Sequence, residues 1–522
     1  MALSRKPIEI VAEGKHQLLI KANHWERIAL FDVAIVQNGF PFKSGLFTHS
    51  EGKQLIRIRD IEYGYTENFY AGDYSDEYLV RDGDILIGMD GDFTAAIWRG
   101  SDGLLNQRVC RLIKCTNYFV KKFLFLCLQP YLNAINAETS SVTVKHLSSN
   151  TIGEIPLPLP PLNEQHRIVA KIEELFSELD KGVESLKTAR EQLKVYRQAL
   201  LKHAFEGKLT AQWRKENPDK LETANALLKR IQTERTQRYQ QELEKWEAAG
   251  KQGSKPKALK SLPPLKTAET AELAKLPESW SWVKVGVVGS VGTGGTPLKG
   301  RSDFYADGTI PWVTSGALNE NFVIEASDYV TEVALNETNL RIYPKHTLLI
   351  AMYGEGKTRG KCSELLIEAT TNQAIAAIVQ DGLSEKLRKY MKWFFQKNYG
   401  DIRLKSSGGV QPNLNLSIIE STLFPMCSIE EADFVVGAIE SKMSEVDQLE
   451  QSIATSLQQS KTLRQSILKK AFSGQLVPQD PKDEPASALL ARIKAERVAA
   501  VAKARKASTG NKLLPVENRL HP

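Results

Sequence analysis

YRQALLKHAFEGKL, residues 196–209, returns as LRQSILKKAFSGQL at residues 463–476. The two stretches align without gaps at a shift of 267, with eight identities in fourteen positions. An internal repeat of this strength fixes the architecture before any local propensity is weighed. The likeness continues downstream, after a short length difference, in ANALLKRIQTER from Ala224 and ASALLARIKAER from Ala486.

Upstream, the same shift carries a seven-residue pattern. Ile172, Leu179, Leu186, Leu193 and Leu200 recur every seven residues, and their counterparts are Ile439, Val446, Ile453, Ser460 and Ile467. A second row, Val169, Phe176 and Val183, maps onto Val436, Met443 and Glu450. Sustained heptads keep one apolar seam facing a partner, so each copy predicts a long helix with a coiled-coil face. Asn163 and Glu164, after Pro160-Pro161, start the first helix, and Gly207 and Gly474 are stops. From Asn163 to Phe205 this is roughly 60 Å of helix at about 1.5 Å per residue. The two helices are expected to pack antiparallel and to leave enough apolar face to recruit helices of another subunit. Ile172, Leu179, Leu186, Leu193, Leu200, Ile439, Val446, Ile453 and Ile467 are the residues assigned to that interface.

The segments before each helix have a different character. Residues 25–160 and 280–428 are rich in glycine, aromatic and β-branched residues, and DILIGM (84–89), RVCRLI (108–113), TLLIAM (347–352) and AIAAIV (374–379) read as strands. They share landmarks in one order: Trp25 and Trp282, Gly39-Phe40-Pro41 and Gly295-Thr296-Pro297, Ile85-Leu86-Ile87 and Leu348-Leu349-Ile350, Asn106-Gln107 and Asn372-Gln373, Ser140-Ser141 and Ser406-Ser407. The fold class is therefore α+β, with two divergent globules on two similar antiparallel coiled-coil helices. The expected divisions are a first globular domain at 1–160, a helical region at 161–250, a linker at 251–279, a second globular domain at 280–428, a helix at 429–475 and a helical, basic tail at 476–522.

Bulk composition is that of an ordinary globular protein, with 42% apolar and 25% charged residues among 522. No run approaches the roughly 20 apolar residues of a membrane helix, and the N-terminal stretch lacks a signal peptide's apolar core, so a cytoplasmic location is expected. Five cysteines, none spaced C-x-x-C, suit reduced thiols better than disulfides or a zinc site. The net charge of +7 is uneven: between Arg492 and Lys512 there are seven basic residues against one acid, Glu496. Charge alone is thus a weak argument for nucleic acid.

The order globule, helix, globule, helix resembles the DNA-specificity subunits of type I restriction-modification systems. The resemblance is carried by IPLPLPPLNEQHRIV (155–169) leading into the first helix, by the two helix ends LRQ-x-x-L-x-x-AF-x-G-x-L, and by globules opening on Trp and G-x-P. The second lead-in, LFPMCSIEEADFVV, departs by losing the double proline and the NEQ triplet. The resemblance implies that each globule is a target-recognition domain for one half of a bipartite, asymmetric DNA site. It implies helices that space the domains and dock two methyltransferase subunits, to which motor-nuclease subunits are added. This chain would be non-catalytic and bind no cofactor, with AdoMet, ATP and Mg on the partners. The rival reading is a coiled-coil scaffold whose globules are incidental, which divergent globules beside similar helices disfavour.

One motif argues for an enzyme. Ala351 to Thr358, AMYGEGKT, fits the relaxed phosphate-loop pattern after a strand. Such a loop must open a helix, whereas Arg359-Gly360-Lys361 leads into SELLIEATTNQ, which has turn character. No methyltransferase N-P-P-F clamp appears, and VGSVGTGGTP (288–297) lacks the G-x-G-x-x-G spacing. Reading bases in the major groove takes Arg or Lys for guanine and Asn or Gln for adenine. The candidates are Lys43, Arg57, Arg59, Asp60, Asp90, Asp92 and Lys145 in the first globule, and Thr314, Ser315, Tyr353, Lys357, Arg359, Ser406, Gln411 and Asn413 in the second. Asn106-Gln107 and Asn372-Gln373 serve equally as turn residues.

Overall fold

The computed structural model describes residues 5–139, 145–251, 255–256, 258, 260, 262–354, 357–380, 382–404 and 413–510, with side chains up to residue 499. The chain forms two compact units, residues 1–186 with 454–522, and residues 187–453. Both unit boundaries fall inside the long helices, Leu162–Phe205 and Ile429–Phe472, each of 44 residues.

In the first unit a strand Glu26–Ala29 pairs antiparallel with Pro156–Leu159, near the start of the proline-rich lead-in. Pro156 and Pro158 lie opposite Ala29 and Arg27, the positions at which an antiparallel pair can do without a donor. A four-stranded antiparallel sheet follows in the order Ile35–Asn38, Val109–Ile113, Ile85–Gly88, Ala95–Ile97. Helix Lys121–Glu138 covers it with Phe123, Leu124, Cys127, Leu128 and Leu132. Five short strands form a second sheet around Lys53–Ile56 and Gly103–Leu105.

The second unit repeats this frame. Ser281–Lys284 pairs with Leu423–Met426, and a sheet runs Ser290–Thr293, Ile375–Val379, Leu348–Ala351, Cys362–Leu365, Phe322–Val323 under helix Glu385–Lys397. The registers agree: Leu112 faces Val36 and Ile85 in one sheet as Ile378 faces Val291 and Leu348 in the other. The accessory sheet differs, having three strands in place of five.

Two sequence landmarks need correcting. Trp25 corresponds to Trp280, since each immediately precedes the first strand and is buried, while Trp282 lies within the strand opposite Pro425. Gly39 corresponds to Gly294, because both backbones press on a carbonyl oxygen that an added Cβ would meet at 2.0 and 1.6 Å. Ser140, Ser141, Ser406 and Ser407 lie outside the described residues.

The heptad rows form the seam between the two helices inside each unit. In the first unit Ile172 and Ile467 are buried and Leu179 and Leu186 half-buried. Arg464 there pairs with Asp180 and lies over the Phe176 ring at 4.2 Å. In the second unit Leu200, Ile439, Val446 and Ile453 are buried and Leu193 is half-buried. Arg197 reaches Asp447 at 2.5 Å and Glu450 at 3.4 Å. Arg197 and Arg464 are equivalent in the repeat, as are Asp180 and Asp447, so one antiparallel ion pair is made twice. The buried seam residues are thus occupied within the chain and are not a free subunit interface.

The later repeat also finds its place. Helix Ala224–Ala248 buries Leu227 and Ile231 in the second unit, and helix Ala486–Gly510 buries the equivalent Leu489 and Ile493 in the first. Each globule is therefore closed by the helix that follows the other globule in sequence. The second long helix starts cleanly without the NEQ triplet because Ser428 Oγ accepts the N–H of Glu431, an S-x-x-E cap in place of prolines. All five cysteines are free thiols, and burial pushes those of Cys110 and Cys362 up to about 12.

A carboxylate in the first turn of each long helix holds the globule that precedes it. Glu164, 1% exposed, accepts from the indole of Trp25 at 3.1 Å and faces His24 Nε2 at 3.1 Å. Glu431 is wholly buried and accepts from Trp280 at 2.8 Å, Thr210 Oγ1 at 2.6 Å and Arg214 at 2.6 Å. Replacing Glu431 by Ala leaves the Arg214 guanidinium, 16% exposed, without its counter-charge and removes the acceptor of two further donors. We expect a loss of about 3 kcal/mol, seen as an earlier urea transition followed by tryptophan fluorescence. An unchanged midpoint would show that the carboxylate does not hold the second unit together.

Candidate nucleic-acid interface

The candidate residues of the first unit gather mainly at one end of its four-stranded sheet. The turn Ile58–Asp60 packs on Gly88, where an added Cβ would meet Ile58 at 2.8 Å. Asp60 is buried and its carboxylate accepts the Arg57 N–H at 2.9 Å, so it shapes the turn. Arg57 is half-buried with its Nε 4.0 Å from Asp60. Burial first, and then the charge of Arg59, lower its pKa from the ordinary arginine value. Arg59 is exposed. Lys43 is exposed on a different turn, Ser44–Leu46, and nothing ties it to this group.

Beyond Gly88 the chain makes the hairpin that leads to Ala95–Ile97. Asp90 pairs with Arg108 and His146, both at 2.6 Å. The Gly91 N–H donates to the Lys145 carbonyl, and Lys145 Nζ reaches the Asn136 carbonyl and side chain at 2.7 Å near the end of the covering helix. Asp90 and Lys145 therefore knit hairpin, helix end and following segment into one body. Asp92 is exposed and borders an open cleft of about 660 Å³ with Glu62, Arg99, Gln129 and Asn133. These four carry no local mark in the sequence, since Glu62 and Arg99 of the loops meet Gln129 and Asn133 of the covering helix only in the folded chain.

In the second unit, Leu348–Ala351 and Cys362–Leu365 form an antiparallel hairpin, and residues 357–361 close it. The Gly360 N–H donates to the Ala351 carbonyl at φ +87°, and the chain continues as a strand. A phosphate loop needs a helix here, so the match of AMYGEGKT to that motif has no structural counterpart. Tyr353 and Lys357 are exposed; Tyr399 Oη donates to the Lys357 carbonyl at 2.7 Å and Arg403 to that of Arg359 at 2.6 Å. Thr314 and Ser315 open the turn Ser315–Asn319, which Lys361 Nζ joins to the hairpin through Asn319 at 3.0 Å. Half-buried Asn413 precedes Leu414, whose N–H donates to Met352. Thr314, Ser315, Tyr353, Lys357, Arg359 and Asn413 thus share one loop cluster, while Ser406 and Gln411 lie outside the described residues.

Asn106 Oδ1 accepts the Gln107 N–H at 2.7 Å and Asn372 Oδ1 that of Ala374 at 3.1 Å, which makes both asparagines turn formers. No helix among the described residues is long and apolar enough to cross a membrane. In both units loops of mixed charge and amide chemistry stand on a sheet frame that is built twice.

Comparison with known proteins agrees. A family profile described as "Type I restriction modification DNA specificity domain" matches residues 23–188 and 277–459, once on each globule and the helix after it. The chain is 30% identical to the type I restriction enzyme EcoBI specificity subunit of Escherichia coli over 517 residues, 96% of this chain and 98% of that one. It is 24% identical to the EcoKI specificity subunit of Escherichia coli strain K12 over 71% of this chain and 70% of the relative. A solved chain from work on complex assembly and conformational transition of the type I restriction-modification system superposes with a TM-score of 0.56 at 17% identity, covering 87% of this chain and 99% of that one. The HsdS subunit from Thermoanaerobacter tengcongensis gives 0.50 at 16% identity, covering 87% and 98%. With a profile on both repeats, a relative matched nearly end to end and the fold shared, the chain belongs to the family of type I restriction-modification DNA specificity subunits.

Proposed function

We propose that this chain reads a split, asymmetric DNA site, each unit taking one half, and that it performs no transferase or nuclease chemistry itself. The observation that carries this reading is the pairing of a repeated frame with unlike loops. The same sheet, covering helix and buried Trp–Glu contact are built twice, but the accessory sheets and loop clusters differ. Two divergent readers on one kind of mount suit two different short sequences better than a palindrome. Methyl transfer and cleavage then belong to partner subunits, which would supply AdoMet, ATP and Mg. Lys43, Arg57, Arg59, Asp92 and Lys145 in one unit, and Tyr353, Lys357, Arg359 and Asn413 in the other, supply side chains or loop geometry for DNA.

The test exchanges residues 25–155 for the same region of a relative and reads the methylome of a host carrying the hybrid with its partners. One half of the methylated site should change and the other should persist, because base contacts specify while phosphate contacts position. A change in both halves would defeat the modular reading.

Docking of methyltransferase subunits requires an outward face, since the seam is filled. Val195, Tyr196 and Leu449 are 67%, 44% and 53% exposed beside the Arg197–Glu450 contact, and Leu463, the repeat equivalent of Tyr196, is 51% exposed in the first unit. These apolar side chains suit amphipathic helices of a partner better than water. Changing Tyr196 and Leu449 together to Glu should leave the thermal transition in place and abolish co-purification with the methyltransferase subunit. Normal complex formation by that double variant would remove these helices' outer face from the docking surface.

A further inference from the structure

Tyr63 and Tyr65 are 71% and 61% exposed, the most exposed aromatic side chains among the described residues. They stand on a turn that is held firmly. Ile61 and Thr66, on either side, are buried, and Thr66 Oγ1 donates to the Leu55 carbonyl at 3.1 Å. Between the rings, Gly64 takes φ +70° and its N–H donates to the Asp60 carbonyl at 3.2 Å. Its own carbonyl presses so closely on Gly100 that a Cβ there would meet it at 2.2 Å, with the buried Trp98 ring at 2.6 Å. A turn fixed on both sides could bury at least one of two rings; this one presents both to solvent.

The geometry of the pair restricts what it can hold. The ring centroids are 6.3 Å apart with planes at 57°. A flat base clasped between two rings needs them nearly parallel and roughly 7 Å apart, twice the 3.4 Å stacking rise. At 57° the rings make a wedge, each with its own face and edge. Arg99 is exposed with its root 3.7 Å from where a Cβ on Gly64 would stand, Arg59 is exposed four residues before Tyr63, and neither makes an ion pair among the described residues. Two cations beside a rigid aromatic wedge fit phosphates on either side of an opened base step. The second unit has no such pair among the described residues: Phe322, at the place of Tyr65, is 47% exposed but lies in the strand Phe322–Val323 with Lys392 Nζ 3.3 Å from its ring centroid, and Glu320 stands at the place of Tyr63.

We infer that Tyr63 and Tyr65 form an aromatic wedge that packs against a base step of the half-site read by the first unit, opening the duplex there and not in the other half-site. The inference rests on the DNA reading proposed above and adds deformation of one half-site to it.

The experiment uses the complete methyltransferase complex and its methylome-defined duplex, with 2-aminopurine placed at successive positions. Apart from the bases that the partner subunits extrude for methylation, the wild-type complex should raise the fluorescence at one further step, in the single half-site that changes when residues 25–155 are exchanged. Tyr63→Ala with Tyr65→Ala should abolish that rise and weaken specific binding roughly ten- to a hundredfold, while the double Phe variant keeps both because the ring does the work. A double Ala variant with wild-type affinity and fluorescence overturns the wedge, as does a Phe variant as impaired as Ala. A wild-type complex that binds cognate and scrambled duplexes alike overturns the reading beneath it, and the wedge with it.

Discussion

Glu164 and Glu431 sit in the first turns of the two long helices, almost fully out of water, each accepting an indole N–H from a tryptophan 139 or 151 residues earlier. A carboxylate is costly to bury unless it is paired, and the amide-rich N-terminus of a helix is among the places where it is tolerated. This contact gives the globule–helix junction one orientation: where Trp25 meets Glu164, the first strand and the proline-bearing strand beside it must follow. The two copies differ in the partners of that carboxylate. Glu431 has the permanent charge of Arg214 and a hydroxyl from Thr210, whereas Glu164 has His24, and its Oε1 has no hydrogen-bond partner among the described residues.

From these junctions the division of the molecule follows. The heptad seam is interrupted by charge at matched places, Arg197 with Asp447 and Arg464 with Asp180. Apolar heptads alone permit a slip by a turn, and an ion pair at one level makes the slipped register worse. The closing helices Ala224–Ala248 and Ala486–Gly510 extend the exchange between the copies, since each seals the globule of the opposite repeat. Evolution of the loops is thereby separated from the mount.

How much of this the sequence revealed depended on how local the information is. Helix repeat, heptads and stops are local patterns, so Leu162–Phe205 and Ile429–Phe472 were legible within a residue or two. The second start looked weaker than it is, because its Ser428 to Glu431 cap uses different residues from the NEQ lead-in. In the sequence Trp282 is as good a counterpart of Trp25 as Trp280, because a shift of two residues preserves the face of a strand, and only burial separates them. Side chains for DNA were the least legible. Asp60 and Lys145 are committed to neighbouring backbone, and Arg99, from a loop, meets Gln129 and Asn133 of the covering helix only in the folded chain. Such assignments depend on how loops and helix faces come together, not on residue type.

The unequal continuity of the two units has a consequence on the ribosome. Residues 187–453 form one uninterrupted stretch, while the first unit needs both residues 1–186 and residues from 454 onward. At about 5–20 residues per second, the first globule emerges many seconds before Phe472, Leu489 and Ile493 arrive to fill its core. Its N-terminal strands must wait with part of their apolar surface uncovered, and the second globule, translated later, has its whole complement sooner. The order of synthesis and the order of completion are opposite.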